Sequence, residues 1–120
     1  MSTDAPSPIR PTDDEARQLA RDLIEQARFA ALAVIDPDTG APLVTRVAFG
    51  TTPQGAPLTL ISDLSHHTRA LKADPVASLL VGEPGARGDP LTHPRLTLQV
   101  QARFLRHGQD GHEDMAAHWL

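Results

Sequence analysis

Residues 95–106, "RLTLQVQARFLR", alternate apolar and polar side chains almost without interruption. That period of two fits a β-strand with one face buried and the other wet. Leu96, Leu98, Val100, Ala102 and Phe104 fall on one face; Arg95, Thr97, Gln99, Gln101 and Arg103 fall on the other. Such a strand needs neighbours, and they lie upstream. "FAALAVI" (29–35) is an unbroken apolar run, which predicts a strand buried on both faces. "PLVTRVAFGTT" (42–52), "LTLISD" (58–63) and "VASLLVGE" (76–83) read as three more strands. "DPDTG" and "PQGAP" are turns between them, in which Pro37 fixes φ and Gly40 permits a positive one. Short links between successive strands argue for an antiparallel meander or Greek key, because a doubly wound parallel sheet needs a helix after nearly every strand. The expected class is mainly β (α+β), and a closed or nearly closed barrel would best hide the strand edges.

Three helices complete the reading. "TDDE" fits a capping box, with Thr12 as N-cap and Glu15 at N3. Ala16, Leu19, Ala20, Leu23, Ile24 and Ala27 then form one apolar stripe, which predicts a helix over 13–27. A short basic helix follows strand three, with Ser65 as N-cap and Pro75 just beyond its end. "DGHEDMAAHWL" reads as a C-terminal helix with Met115, Ala116, Trp119 and Leu120 on one side. "GEPGARGDPLTHP" reads as a flexible flap. Residues 1–11 carry prolines and little to bury, so they are expected to form a disordered arm, leaving 12–120 as a single domain.

The balance of residues narrows the classes. The chain has 120 residues, of which 40% are hydrophobic and 3% aromatic, so the core must be built from Leu, Val, Ile and Ala. There is no cysteine, which excludes disulfides, thiolate metal sites and cysteine nucleophiles. Net charge is −4, with acids and bases mixed along the chain, so nucleic acid is not an expected partner. No run approaches the ~20 apolar residues that cross a bilayer, and no signal peptide opens the chain; a soluble cytoplasmic protein, without a membrane partner, is expected.

Two stretches could carry chemistry. On the second strand Arg46 shares a face with Val44, Ala48 and Gly50. Small neighbours leave space along the backbone for a flat ligand, although spacing alone slightly favours a solvated Arg on a half-exposed strand. At "SDLSHHTRAL" a strand feeds a helix whose first amides, at His67 and Thr68, point outward with the positive end of the helix dipole. Ser62 and Thr68 add hydroxyls and Arg69 a bidentate cation, so an anion could be held there; a capped helix with solvated side chains is the plainer alternative. His66 and His67 point about 100° apart on a helix and cannot share one ion. His93, His107, His112 and His118 show no HExxH pattern, so no metal centre is expected. A haem iron held by a single His needs no motif. GxSxG and P-loop frames are absent.

The stretches from "FAALAVID" through "LISDLSHHTRALKADPVASLLVGE" to "GDPLTHPRLTLQVQARFL" resemble the FMN-binding split-barrel family related to pyridoxamine 5'-phosphate oxidase, and within it the haem-utilisation branch. The resemblance implies an antiparallel split β-barrel that binds FMN at a homodimer interface and acts on a small-molecule substrate as an oxidoreductase. It implies cofactor contacts at Arg46, at the backbone of Val47 and Ala48, at Ile61 and Ser62 on the third strand, and at Arg95. Where the oxidase has a basic pair at the helix start this chain has His67 and Thr68, with Arg69 next to them. The oxidase's C-terminal substrate-binding segment has no counterpart, so the substrate stays open, as do catalytic residues. The resemblance also implies a domain lacking its usual last strand, with Trp119 and Leu120 buried on the barrel or a partner. Two alternatives stand beside the flavoprotein: a haem-binding or haem-degrading protein on the same barrel, and a non-catalytic dimeric scaffold.

Overall fold

A computed structural model describes residues 13–62 and 64–105. The first element is α1 (Asp14–Gln26). Its N-cap is Asp13, whose carboxylate accepts the Ala16 amide at 2.7 Å. Thr12 was the expected cap; it lies outside the described residues. With Asp13 capping, Asp14 and Glu15 sit in the first turn at the positive end of the dipole. Leu23, Ile24 and Ala27 dock on the core, while Leu19 stays exposed.

Six strands follow in place of the expected five: β1 (Phe29–Ile35), β2 (Pro42–Ala48), β3 (Gly50–Thr51), β4 (Pro57–Leu58), β5 (Val76–Val81) and β6 (Leu96–Gln101). Helix α2 (His66–Ala73) lies between β4 and β5. One sheet has the order β2-β1-β5-β6, with every neighbour antiparallel; β3 and β4 pair in a separate ribbon. Among the described residues this is an open sheet and a ribbon, not a closed barrel. The second strand breaks at Phe49, which is buried and donates its amide to the Arg28 carbonyl at 3.0 Å. That break starts the ribbon.

The expected third strand over 58–63 is reduced to Pro57–Leu58. Downstream of it the backbone serves α2 instead. The Ser62 carbonyl accepts from the Ser65 amide, the Ser65 hydroxyl and the Thr68 hydroxyl, so it is not available to a ladder. The expected C-terminal helix and the arm over 1–11 lie outside the described residues.

β1 pairs on both edges, with Leu32 opposite Thr45 of β2 and Leu79 of β5. Ala30, Leu32 and Val34 are buried on one face with Val47, Ala77, Leu79 and Val81, and Ala70 and Leu71 of α2 join the same cluster. Both helices therefore cover one face. The other face is uncovered by any described residue. Phe29, Ile35, Val44, Val76 and Leu80 are exposed, and Ala31, Ala33 and Ser78 are half-buried between them. β1 is thus buried on one face only, not both as its apolar run suggested. The alternation expected for β6 holds, with Leu96, Leu98 and Val100 turned inward.

β5 ends at Val81, and the next residue, Gly82, has φ +105°. A Cβ there would lie 2.5 Å from the Pro94 carbonyl oxygen and 2.7 Å from the Arg95 Cα. Only glycine fits this backbone and this approach. Gly82→Ala is expected to cost about 1–3 kcal/mol of stability, the usual scale of a backbone held in a sparse conformation. Urea unfolding would show this as a lower midpoint; an unchanged midpoint would mean that the close approach relaxes freely.

Candidate functional site

Arg46 leaves β2 on the open face and lies over Phe29 of β1, with its guanidinium carbon 5.3 Å from the ring centroid. The register explains the meeting. Arg46 pairs with Ala31, and Phe29 pairs with Ala48, so the long cation reaches diagonally across alanine to the aromatic ring. Around this pair the face is low and apolar, made by Ala31, Ala33, Ala48 and Leu80. A planar group could lie flat there with an anionic tail at Arg46. Val47, by contrast, is buried in the core. The carbonyl of Ala48 accepts the Thr59 hydroxyl at 2.6 Å.

The start of α2 is a compact knot of hydroxyls. Ser65 caps it, accepting the Thr68 amide, and its Oγ lies 2.7 Å from the Thr68 Oγ1. Thr68 is 1% exposed and donates to the Ser62 carbonyl. The Ser62 hydroxyl accepts the Leu64 amide at 3.1 Å, and Ile61 packs on the core. His67 is half-buried beside β2, with Nδ1 3.4 Å from the Thr45 hydroxyl and a buried Nε2 that has no hydrogen-bond partner among the described residues. Burial of its ring, and then the neighbouring His66 charge, push the His67 pKa below 6.5 and favour the neutral imidazole.

Two ion pairs tie this helix to the β1–β2 turn. His66 Nε2 lies 3.4 Å from Asp36 Oδ1, and Arg69 lies 3.5 Å from Asp38 Oδ1. The Asp38 amide donates to the Asp36 carboxylate at 2.9 Å, which holds that carboxyl below its usual range; the nearby His66 lowers it further. Asp36, Asp38 and His66 offer ligand atoms within 4.8 Å of one another. His66 and Arg69 already partner the two carboxylates, so the arrangement explains itself as a staple between turn and helix.

The sequence expectation was that Arg46 and the first turn of α2 enclose one anion. Within one chain Arg46 leaves β2 on the open face, whereas α2 packs on the other. Thr45 and Arg46 are successive on β2 and point to opposite faces, and it is Thr45 that meets His67. Thr68 and Ser62 already have partners at the helix start, and Arg69 is paired with Asp38 of the β1–β2 turn. Arg95 is also elsewhere: its guanidinium donates to the Leu91 carbonyl at 2.9 Å and stiffens the β5–β6 loop. The residues that sequence reasoning missed are Phe29, Thr45 and the Asp36–Asp38 turn. Their roles depend on strand register and on the packing angle of α2, neither of which is written in local spacing.

No helix among the described residues is long and apolar enough to cross a membrane. Residues 16–119 match the family model described as pyridoxamine 5'-phosphate oxidase. No curated protein matches the chain. Among solved structures the chain is 38% identical to protein Atu2129 of Agrobacterium tumefaciens, described as of unknown function, over 81% of this chain and 42% of that one, with a TM-score of 0.68. It is 31% identical to a haem-binding protein from Mycobacterium smegmatis, over 91% of this chain and 42% of that one, with a TM-score of 0.72. HutZ, the haem storage protein of Vibrio cholerae, shares the fold at 21% identity and a TM-score of 0.70, over 88% of this chain and 71% of that one. The chain thus spans less than half the length of the first two of these relatives. With the family model covering nearly all of it, the chain belongs to the pyridoxamine 5'-phosphate oxidase family, on a branch whose structural neighbours include haem-binding proteins.

Proposed function

We propose that the chain binds a planar, conjugated cofactor with an anionic tail on its open sheet face, as a homodimer, and that the cofactor is FMN serving an oxidoreductase. The observation that carries this reading is Arg46 poised over Phe29 beside a bed of alanines. A phosphate gives Arg46 a bidentate partner, and the flat small-residue surface accepts a ring system. Exposed Phe29, Ile35, Val44, Val76 and Leu80 on that same face favour a second copy closing over the ring, since a broad apolar patch on an isolated chain is costly. Flavin supplies hydride and electron transfer; the chain's own part is to bind and orient the ring and keep water from it. In this reading Arg46, Ala48 and the backbone of Val47 are the contacts within one chain. Ile61, Ser62, His67, Thr68, Arg69 and Arg95 belong to the proposed site only if the dimer brings them to the ring from elsewhere.

Haem is the second reading. The M. smegmatis relative is described as haem-binding, and His67 presents an unpartnered Nε2 in the neutral state that iron ligation requires. The two readings separate by the visible spectrum. Titration with FMN is expected to quench flavin fluorescence at one flavin per chain, while haem addition gives no Soret shift that depends on His67. Unquenched flavin together with a Soret band lost in His67→Ala would reverse the order of the two readings. Neither signal would leave the scaffold. Arg46→Ala is expected to weaken FMN by about 1–3 kcal/mol, the scale of a lost charged hydrogen-bond partner.

His67 also makes a stability prediction. Its pKa is lowered in the folded chain, so below about pH 6.5 the unfolded chain binds the proton first. Stability is therefore expected to fall as pH drops through that value toward the lower folded pKa, and to be fully present above it. Thermal unfolding of His67→Gln across the same range should show a shallower acid loss; an equal slope would place the titration elsewhere.

A further inference from the structure

We propose that His93 is a proton-sensitive latch on the β5–β6 loop. The loop leaves β5 at Gly82 and returns through a single 3-10 turn, Pro90–Thr92, to β6. Its base is closed by the approach of Gly82 to Pro94 and Arg95. Its tip is self-bonded: the Asp89 carboxylate accepts the Leu91 amide at 2.9 Å, and Arg95 donates to the Leu91 carbonyl. Only His93 ties the first limb of the loop to the second among the described hydrogen bonds. The Gly85 amide donates to its Nδ1, and its Nε2 lies 2.7 Å from the Arg87 carbonyl. The flap expected from sequence is therefore held shut by an imidazole.

The partners fix the tautomer. A carbonyl can only accept, so Nε2 carries the hydrogen; an amide N–H can only donate, so Nδ1 carries the lone pair. The ring lies so close that a Cβ on Gly85 would meet its Cε1 at 2.9 Å. A proton taken from solvent must land on Nδ1, turning acceptor into donor against the Gly85 N–H. That bond breaks, while the bond to Arg87 survives as a charged donor. Protonation thus frees residues 83–86 and leaves the 3-10 turn in place.

The charged side chains carried by the loop and its base are Glu83, Arg87, Asp89 and Arg95. The Asp89 carboxylate is committed to Leu91, and Arg95 to carbonyls of the loop, including that of His93 at 3.5 Å. No carboxylate forms an ion pair with His93 among the described residues, so none compensates a charge on the ring. The loop base lies at the sheet end that carries Phe29, two residues past the last β1–β5 pair, Ala31 with Leu80. Opening it would change access to the open face; that consequence rests on the cofactor reading, whereas the latch does not.

Amide hydrogen exchange on the full chain, without ligand, tests it. Protection of the Gly85 amide is compared at about pH 8 and about pH 5, the range across which imidazoles take up a proton. A fall of about tenfold at Gly85, the worth of one ordinary hydrogen bond, is expected beyond whatever fall Leu32 in the core shows from the acid loss of stability at His67. His93→Asn keeps an acceptor near the Nδ1 position but does not titrate, so its Gly85 protection should be the same at both pH values. Equal protection at Gly85 in the unaltered chain, a fall at Leu32 as large as that at Gly85, or a Gly85 response beyond that of Leu32 that persists in His93→Asn would each overturn the proposal.

Discussion

Leu32 stands between Thr45 on one side and Leu79 on the other, and this double pairing along β1 decides what every neighbouring strand can present. Once β1 is clamped at both edges, a one-residue slip of β2 or β5 would turn its apolar set to the wrong side. Ala30, Leu32 and Val34 face the helices, so Val47, Leu79 and Val81 must face them too. Everything on the other side, including Arg46 over Phe29, follows from that choice. The helices both occupy the inner face, and the outer one is left as a broad surface of alanine and scattered large apolar groups.

The connections carry the chemistry because the strands carry the register. Helix α2 is placed by the Ser62–Ser65–Thr68 knot at its start and by Ala70 and Leu71 on the core. This brings His67 to Thr45 and keeps it partly dry. The β5–β6 loop is placed in turn by a glycine that admits Pro94 and Arg95 at contact distance. Polar groups in both connections are satisfied mostly by backbone within the same segment, so each holds its shape with little help from the sheet.

Much of this was legible in the residues. The strict alternation of 96–101 and the Ser65 cap of α2 each have one local solution, and the chain adopts it. "FAALAVI" misled because alanines on an open face read the same as alanines in a core; a run of small apolar residues does not say which side is covered. "LTLISD" misled because Ser62 spends its carbonyl on the α2 cap, a tertiary use that strand propensity does not register. Spacing alone also left open which β2 residue meets the helix start, and period two puts Thr45, not Arg46, beside α2 within one chain. The family was recognisable from longer text, the "SDLSHHTRAL" and "GDPLTHPRLTL" segments, where residue order constrains more than spacing does.

The staple between the β1–β2 turn and α2 is made of side chains that water reaches. His66 with Asp36 and Arg69 with Asp38 are separated by 3.4 and 3.5 Å on a partly or fully wet surface, where dissolved ions compete and the Debye length shrinks to about 3 Å in molar salt. The sheet, joined by backbone bonds and hydrocarbon, feels no such competition. Brine would therefore loosen the tie between the β1–β2 turn and α2 while Ala70 and Leu71 keep the helix seated, so the turn is the part of this region that answers to the surrounding electrolyte.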